Sequence, residues 1–213
     1  KHWWIGGKWC DVIREFEGGI RVFSKEFLKD LRAFCDKHDI LLICDEVQIG
    51  CSRSGTFFSF ERADIIPDIV CMSKSIGGYG IPFAVTLFKR ELDVFNPGEH
   101  NGTFRGCQLS MVAGLAALEM TVNQDIPGQV KRKEKIVKDY LEKEVKPLLK
   151  DGMEIRGIGL SWGIEFNDGK LARAVLDRCF EKKLIIELAG SYDSVLKIMP
   201  SLVIEDELLL KGL

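Results

Sequence analysis

At 213 residues, 46% of them hydrophobic and 29% charged, the chain is long enough for one sizeable core, or one core and a small appended domain, and its composition excludes a disordered tail. A formal charge of −2 leaves no basic surface for nucleic acid, and no run approaches the roughly 20 apolar residues that span a bilayer. Seven scattered cysteines, with no CxxC pair and no His/Cys cluster at zinc-ligand spacing, point to reduced thiols in the cytoplasm and to no metal site.

Residues 1–16, with Trp3, Trp4 and Trp9, show no helical or strand periodicity and stay unassigned. From Ser24, read as an N-cap, the positions Phe27, Leu28, Leu31, Phe34 and Cys35 share one helical face, which predicts an amphipathic helix to about His38. The unbroken apolar run Ile40 to Cys44 is too short for a helix and predicts a strand covered on both faces, ending in Asp45-Glu46. A Gly/Ser/Arg loop from Gly50 to Gly55 and an aromatic segment follow; then Pro67-Asp68 leads into a second run, Ile69 to Met72, ending in Ser73-Lys74. After the glycines Gly77, Gly78 and Gly80 comes a third run, Phe83 to Phe88, a polar loop from Pro97 to Gly106, and a helix over about Ser110 to Val122. This alternation suits an α/β sheet with active groups at strand ends.

A long charged helix from Gly128 to about Leu149 resembles a connector. The remainder reads as a strand (Leu160 to Phe166), a helix (Lys170 to Lys182) and two strands (Leu184 to Leu188, Val195 to Met199), a small α+β domain starting near Asp151. The chain starts at Lys1 rather than Met, with no basic leader, and stops inside the apolar run Leu208 to Leu210; both ends read as cut.

Asp45 and Lys74 end successive apolar runs, 29 positions apart. Charges at the ends of covered strands sit at clefts or in ion pairs, and the bare pattern is equally that of a loop-capping aspartate and a solvated lysine. No GxxxxGK[ST] precedes Lys74, so it is not a phosphate-loop lysine.

The wording around the two residues adds more. Leu41 to Gly50, then Arg53, Gly55, Phe58 and Glu61, then Pro67-Asp68-Ile69 and Ser73-Lys74-Ser75-Ile76-Gly77-Gly78, resembles the signature of the class III aminotransferases that depend on pyridoxal 5'-phosphate (PLP). The likeness runs from about Gly18 through Pro97 to Gly106, Leu184 to Glu187 and Met199-Pro200; residues Ser73 to Gly80 and Asp93 to Gly106 are most similar to the diaminobutyrate branch of ectoine synthesis. Asp11 to Phe16 departs from the family wording.

The resemblance implies a class I PLP-dependent transferase fold, α/β, with 17–127 as the second part of a large domain, 128–150 as a connecting helix and 151–213 as a truncated small C-terminal α+β domain. It implies that Lys74 binds PLP covalently and carries the substrate proton, that Asp45 faces the pyridine nitrogen, that Val47 packs on the ring and that Gln48 bonds the ring hydroxyl. Thr103 is implied to reach the phosphate of a neighbouring subunit, which makes the enzyme a homodimer or larger. Ordinary core packing remains open for Val47, and an ordinary Asn-Gly turn for the Thr103 loop. Arg105 can meet a substrate carboxylate or a rim carboxylate, His100 reads as a surface residue, and Ser52, Arg53 and Ser54 as loop-shaping. The family's phosphate-cradling turn and ring-stacking aromatic have no counterpart in these residues. Glutamate and aspartate 4-semialdehyde are the implied substrates; an ornithine or 4-aminobutyrate aminotransferase, an aminomutase, or a non-catalytic polypeptide are the alternatives.

Overall fold

The computed structural model describes residues 18–78 and 80–213, together with the backbone of 9–11. The chain divides into two compact units: one of Ser24–Cys51 and Phe60–Gln124 with the strand at 9–11, the other of Asp125–Leu213 with Ser52–Ser59 and the described part of Arg14–Phe23.

The first unit is built on a four-stranded sheet in the order β1 (Trp9–Asp11), β2 (Leu41–Asp45), β3 (Ile69–Met72), β4 (Val85–Phe88). The first three strands are parallel and β4 is antiparallel to β3. Strand β1 falls in the stretch left unassigned, whose other residues, 1–8 and 12–16, lie outside the described residues. Helix α1 (Lys25–Lys37) starts where expected, because the Ser24 hydroxyl accepts the Phe27 N–H at 3.1 Å, and it buries Leu28 and Cys35. On β2 burial alternates, with Leu42 and Cys44 inside and the residues between them half-buried, so this strand is less evenly covered than its apolar run suggests. The third apolar run is covered least: β4 carries Leu87 and Phe88, each more than 40% exposed. Helix α2 (Gln108–Asn123) likewise leaves Leu109, Val112, Leu115 and Val122 outward.

Asp68 ties this unit together. Its N–H donates to the Leu42 carbonyl (2.9 Å) while the Leu42 N–H donates to Asp68 Oδ2 (2.7 Å). Arg32 of α1 reaches the same Oδ2 at 2.7 Å, Lys89 after β4 reaches Oδ1 at 2.6 Å, and the residue is 6% exposed. Burial alone would raise the carboxyl pKa, but the Lys89, Leu42 and Arg32 donors outweigh it and hold the group below the usual carboxylate range.

The second unit has an antiparallel sheet in the order β5 (Glu154–Ile158), β6 (Ser161–Glu165), β8 (Val195–Ile198), β7 (Glu187–Ala189). Helix α3 (Ile126–Tyr140) runs through a π turn at Leu141–Val145 and a 3-10 turn at Lys146–Leu148, and it packs Val130, Val137 and Leu141 against Leu160, Trp162, Ile164 and Leu196. The helix read as a connector is thus one wall of this core. Helix α4 (Gly169–Glu181) is capped by Asp168, and α5 (Asp206–Gly212) closes the chain, seating Leu209 in the same cluster. The β5–β6 hairpin turns at Gly159, where φ is +56° and an added Cβ would lie 2.0 Å from the Arg53 carbonyl oxygen. No side chain fits there.

Candidate functional site

Because β2 and β3 are parallel, their carboxyl ends lie at one edge of the sheet, with Asp45 opposite Cys71 in register and the Glu46 N–H donating to the Cys71 carbonyl at 2.8 Å. Lys74 follows three residues beyond Cys71, no more than about 10 Å of extended chain. The antiparallel return of β4 starts at the same edge, with Val85 opposite Met72. The fold therefore brings a carboxylate and a primary amine, 29 positions apart in sequence, to adjacent strand ends. The mouth of a parallel sheet is where α/β proteins receive ligands.

Asp45 is half-buried, and its Oδ1 accepts the Val47 N–H at 3.0 Å, which closes a turn directly after the strand. Val47 and Gln48 lie in that turn, both half-buried, between the buried side chains of Glu46 and Ile49. Beyond it Cys51 is buried with its thiol pushed up to about 11, first by burial and then by the Glu46 charge. A thiol held neutral in this way is a poor nucleophile.

Lys74 is exposed and has φ +53°, a left-handed conformation that costs a non-glycine residue on the order of 1 kcal/mol. It opens a 3-10 turn, Lys74–Gly77, in which the Gly78 N–H donates to the Ser75 carbonyl at 3.1 Å. The Ser73 hydroxyl donates across to the Phe83 carbonyl at 3.1 Å.

Thr103 is not part of that edge turn. It stands in the exposed loop from Val94 to Gly106, which is organised by its own bonds: Asn96 donates twice to the Glu99 carboxylate, the Arg105 N–H donates to the Gly102 carbonyl, and the Phe95 and His100 rings lie 4.9 Å apart. The Arg105 guanidinium donates to the His100 carbonyl, within the same loop. Arg53, read as loop-shaping, does so through long-range bonds in the second unit: its Nη1 donates to the carbonyls of Leu160 (3.0 Å) and Pro200 (2.9 Å), and burial lowers its pKa to about 10, which leaves it charged at neutral pH. Among the described residues no group of three or more His, Cys, Asp or Glu could hold a metal ion, and no helix is long and apolar enough to cross a membrane.

The profile of aminotransferase class-III matches residues 14–213, and the chain belongs to that family. It is 45% identical over 199 residues to the diaminobutyrate–2-oxoglutarate transaminase of Bordetella parapertussis, covering 92% of this chain and 46% of that protein. To the corresponding transaminase of Sporosarcina pasteurii it is 47% identical over 199 residues, covering 92% and 47%. The ornithine aminotransferase of Toxoplasma gondii, whose structure has PLP partly occupying the active site, superposes with a TM-score of 0.88 at 26% identity, over 96% of this chain and 48% of that one. The fold is the α/β architecture of those enzymes, and the chain spans about half the length of the curated relatives it matches.

Proposed function

We propose that the chain supplies the lysine-bearing part of a PLP-dependent transaminase that takes the amino group of glutamate, releasing 2-oxoglutarate, and passes it to aspartate 4-semialdehyde to form 2,4-diaminobutyrate. The reading includes a place in ectoine synthesis in the cytoplasm and a homodimeric enzyme. Its main support is the convergence of Asp45 and Lys74 at neighbouring parallel strand ends in a chain 45–47% identical to diaminobutyrate transaminases. The donor set fits the cofactor: an exposed primary amine can condense with an aldehyde, and a half-buried carboxylate one strand away can accept a ring N–H.

When bound, PLP supplies the aldehyde carbon that takes up the amino group and the ring that withdraws electrons from the substrate carbon. Lys74 Nζ would hold the aldehyde group of the cofactor, and its free amine would carry the proton taken from the substrate carbon. Asp45 would pair with the ring nitrogen, and its bond from the Val47 N–H fixes the direction of the carboxylate. Val47 would pack on the ring, Gln48 would bond the ring hydroxyl, and Thr103 would donate its hydroxyl to the phosphate of the neighbouring subunit.

The direct test completes the chain with the part of the Sporosarcina relative that it does not cover and assays transfer from glutamate to aspartate 4-semialdehyde against ornithine- and 4-aminobutyrate-type acceptors. Preference for the semialdehyde is expected. A preference for another acceptor moves the protein elsewhere in the family, and failure of PLP to develop long-wavelength absorption supports the non-catalytic reading. In the same enzyme Asp45→Asn should keep the covalent link but slow the proton-transfer half-reaction, because an amide cannot balance the ring charge; unchanged single-turnover kinetics would remove that role.

Thr103→Ala should weaken PLP binding about 10- to 150-fold, the value of one hydrogen bond to a charged group, with the covalent chemistry intact. Mixing it with Lys74→Ala under conditions of subunit exchange tests the assignment to a neighbouring subunit. In a two-fold dimer one site then collects both lesions and the other is restored, so activity returns. With exchange shown, no recovery places Thr103 in its own subunit's site or in none.

A further inference from the structure

Lys74 sits in a left-handed conformation, and such strain persists only where the surroundings over-determine it. Its own turn has two weak ties, the Gly78 N–H to Ser75 and the Ile76 N–H to Ser73 at 3.4 Å. The stronger constraint comes from Phe83, nine positions later. Its carbonyl accepts the Ser73 hydroxyl, directly before Lys74, and the preceding carbonyl, of Pro82, accepts the Ser110 hydroxyl of α2 at 2.9 Å. Two successive carbonyls, each held by a serine hydroxyl, restrict the direction of the Phe83 side chain.

That side chain enters a slot between two glycines. A Cβ on Gly77, the last residue of the lysine turn, would lie 3.0 Å from Phe83 Cβ. One on Gly114 would lie 2.7 Å from Phe83 Cε1, 2.9 Å from Cδ1 and 3.1 Å from the Ile76 carbonyl oxygen. Gly114 stands four residues after Ser110, on the same face of α2. Helix, ring and turn backbone thus meet with no side chain between them, and Ile76 and Gly77 are buried there.

We propose that Phe83, clamped between Gly77 and Gly114 and anchored through Ser73 and Ser110, is a positioning residue that sets the direction in which Lys74 leaves the sheet. This rests on the reading of Lys74 as the PLP lysine. Gly114 is the point at which to disturb it, because a helix-interior glycine replaced by alanine ordinarily gains stability. A loss at Gly114→Ala therefore reports the collision with Phe83 and the turn rather than helix propensity.

The test uses the enzyme completed as described above, with PLP. Lysine amines condense with the aldehyde, releasing water, and hydride from borohydride reduces the resulting C=N bond to a stable secondary amine; peptide mass spectrometry then gives the fraction of label at Lys74 against all other lysines. In the unsubstituted chain Lys74 should dominate. With Gly114→Ala its share should fall about tenfold, the scale that overpacking a filled site produces, while the other lysines are unaffected and far-UV circular dichroism is unchanged. Adding Phe83→Leu, which removes the colliding ring edge, should restore the share. If the unsubstituted chain labels its lysines indiscriminately, the Lys74 reading fails and this inference with it. If Lys74 dominates equally in Gly114→Ala, or Phe83→Leu restores nothing, Lys74 stands and Phe83 has no positioning role.

Discussion

Replacing Lys74 by alanine is expected to remove the long-wavelength absorption of lysine-bound PLP and to cost about 10²- to 10⁴-fold in transamination from loss of the proton carrier alone, with the lost covalent anchor adding to it. The substitution should leave the fold intact. Lys74 is exposed and sits in a left-handed backbone that alanine adopts with no less difficulty, so its methyl gives up no buried contact. That separation of activity from stability makes the result readable: single-turnover kinetics and thermal unfolding, measured on the same completed enzyme, should move independently. A variant that kept normal turnover would rule out Lys74 as the cofactor lysine.

Asp68→Ala should have the opposite profile, destabilising the first unit by about 3–5 kcal/mol, the range for removing one partner from a buried charge network. Alanine leaves the Arg32 guanidinium, whose side chain is 12% exposed, without its inward partner and the Leu42 N–H without its acceptor. Arg32 keeps its bond to Asp36, and Lys89 can turn to water, so most of the cost falls on the α1–β2 contact. The pH dependence gives a second check. The native carboxyl of Asp68 titrates below its unfolded value of about 3.9, so its contribution is fully present above that pH and is lost as pH falls through the lower native value. Urea unfolding at pH 7 should therefore show a wide gap between the two proteins, and the gap should narrow below pH ~4. A gap of constant width would mean that Asp68 acts through packing rather than through its charge.

That Asp45 and Lys74 come to neighbouring strand ends was legible in the sequence, because each ends a short apolar run. Helix α1 and strands β2 and β3 follow their patterns for the same reason: in each, local periodicity and burial agree. Strand β5 was not anticipated, since Glu154, Arg156 and Gly157 break the apolar run and only pairing with β6 makes it a strand. Leu184 to Ile186 reads as strand, yet the ladder begins at Glu187 and Ile185 is 86% exposed. Lys133 sits on the charged helix α3 but is 2% exposed, its ammonium donating to the Leu202 carbonyl at 2.9 Å, and burial lowers its pKa. No one-dimensional pattern reveals such an acceptor. The Phe83 slot was equally hidden; its one sequence trace is Gly114, a glycine in the middle of an apolar helix with no turn to explain it.

The reach of Arg53 bears on how the chain acquires its structure during synthesis. The carbonyls it binds lie 107 and 147 residues further on, so the second unit draws on a segment made long before its strands exist. Closing loops of that length costs entropy before any contact is gained, and folds dominated by distant pairings form slowly. While β6 and the Pro200 turn are still inside the ribosome, Ser52–Ser59 has no partner among them, and a guanidinium destined for burial stays in water. The order of events is then imposed by translation: α1 and the β2–β3 pair can assemble early from neighbouring residues, whereas the Arg53 loop must wait for Leu160 and Pro200 to be made.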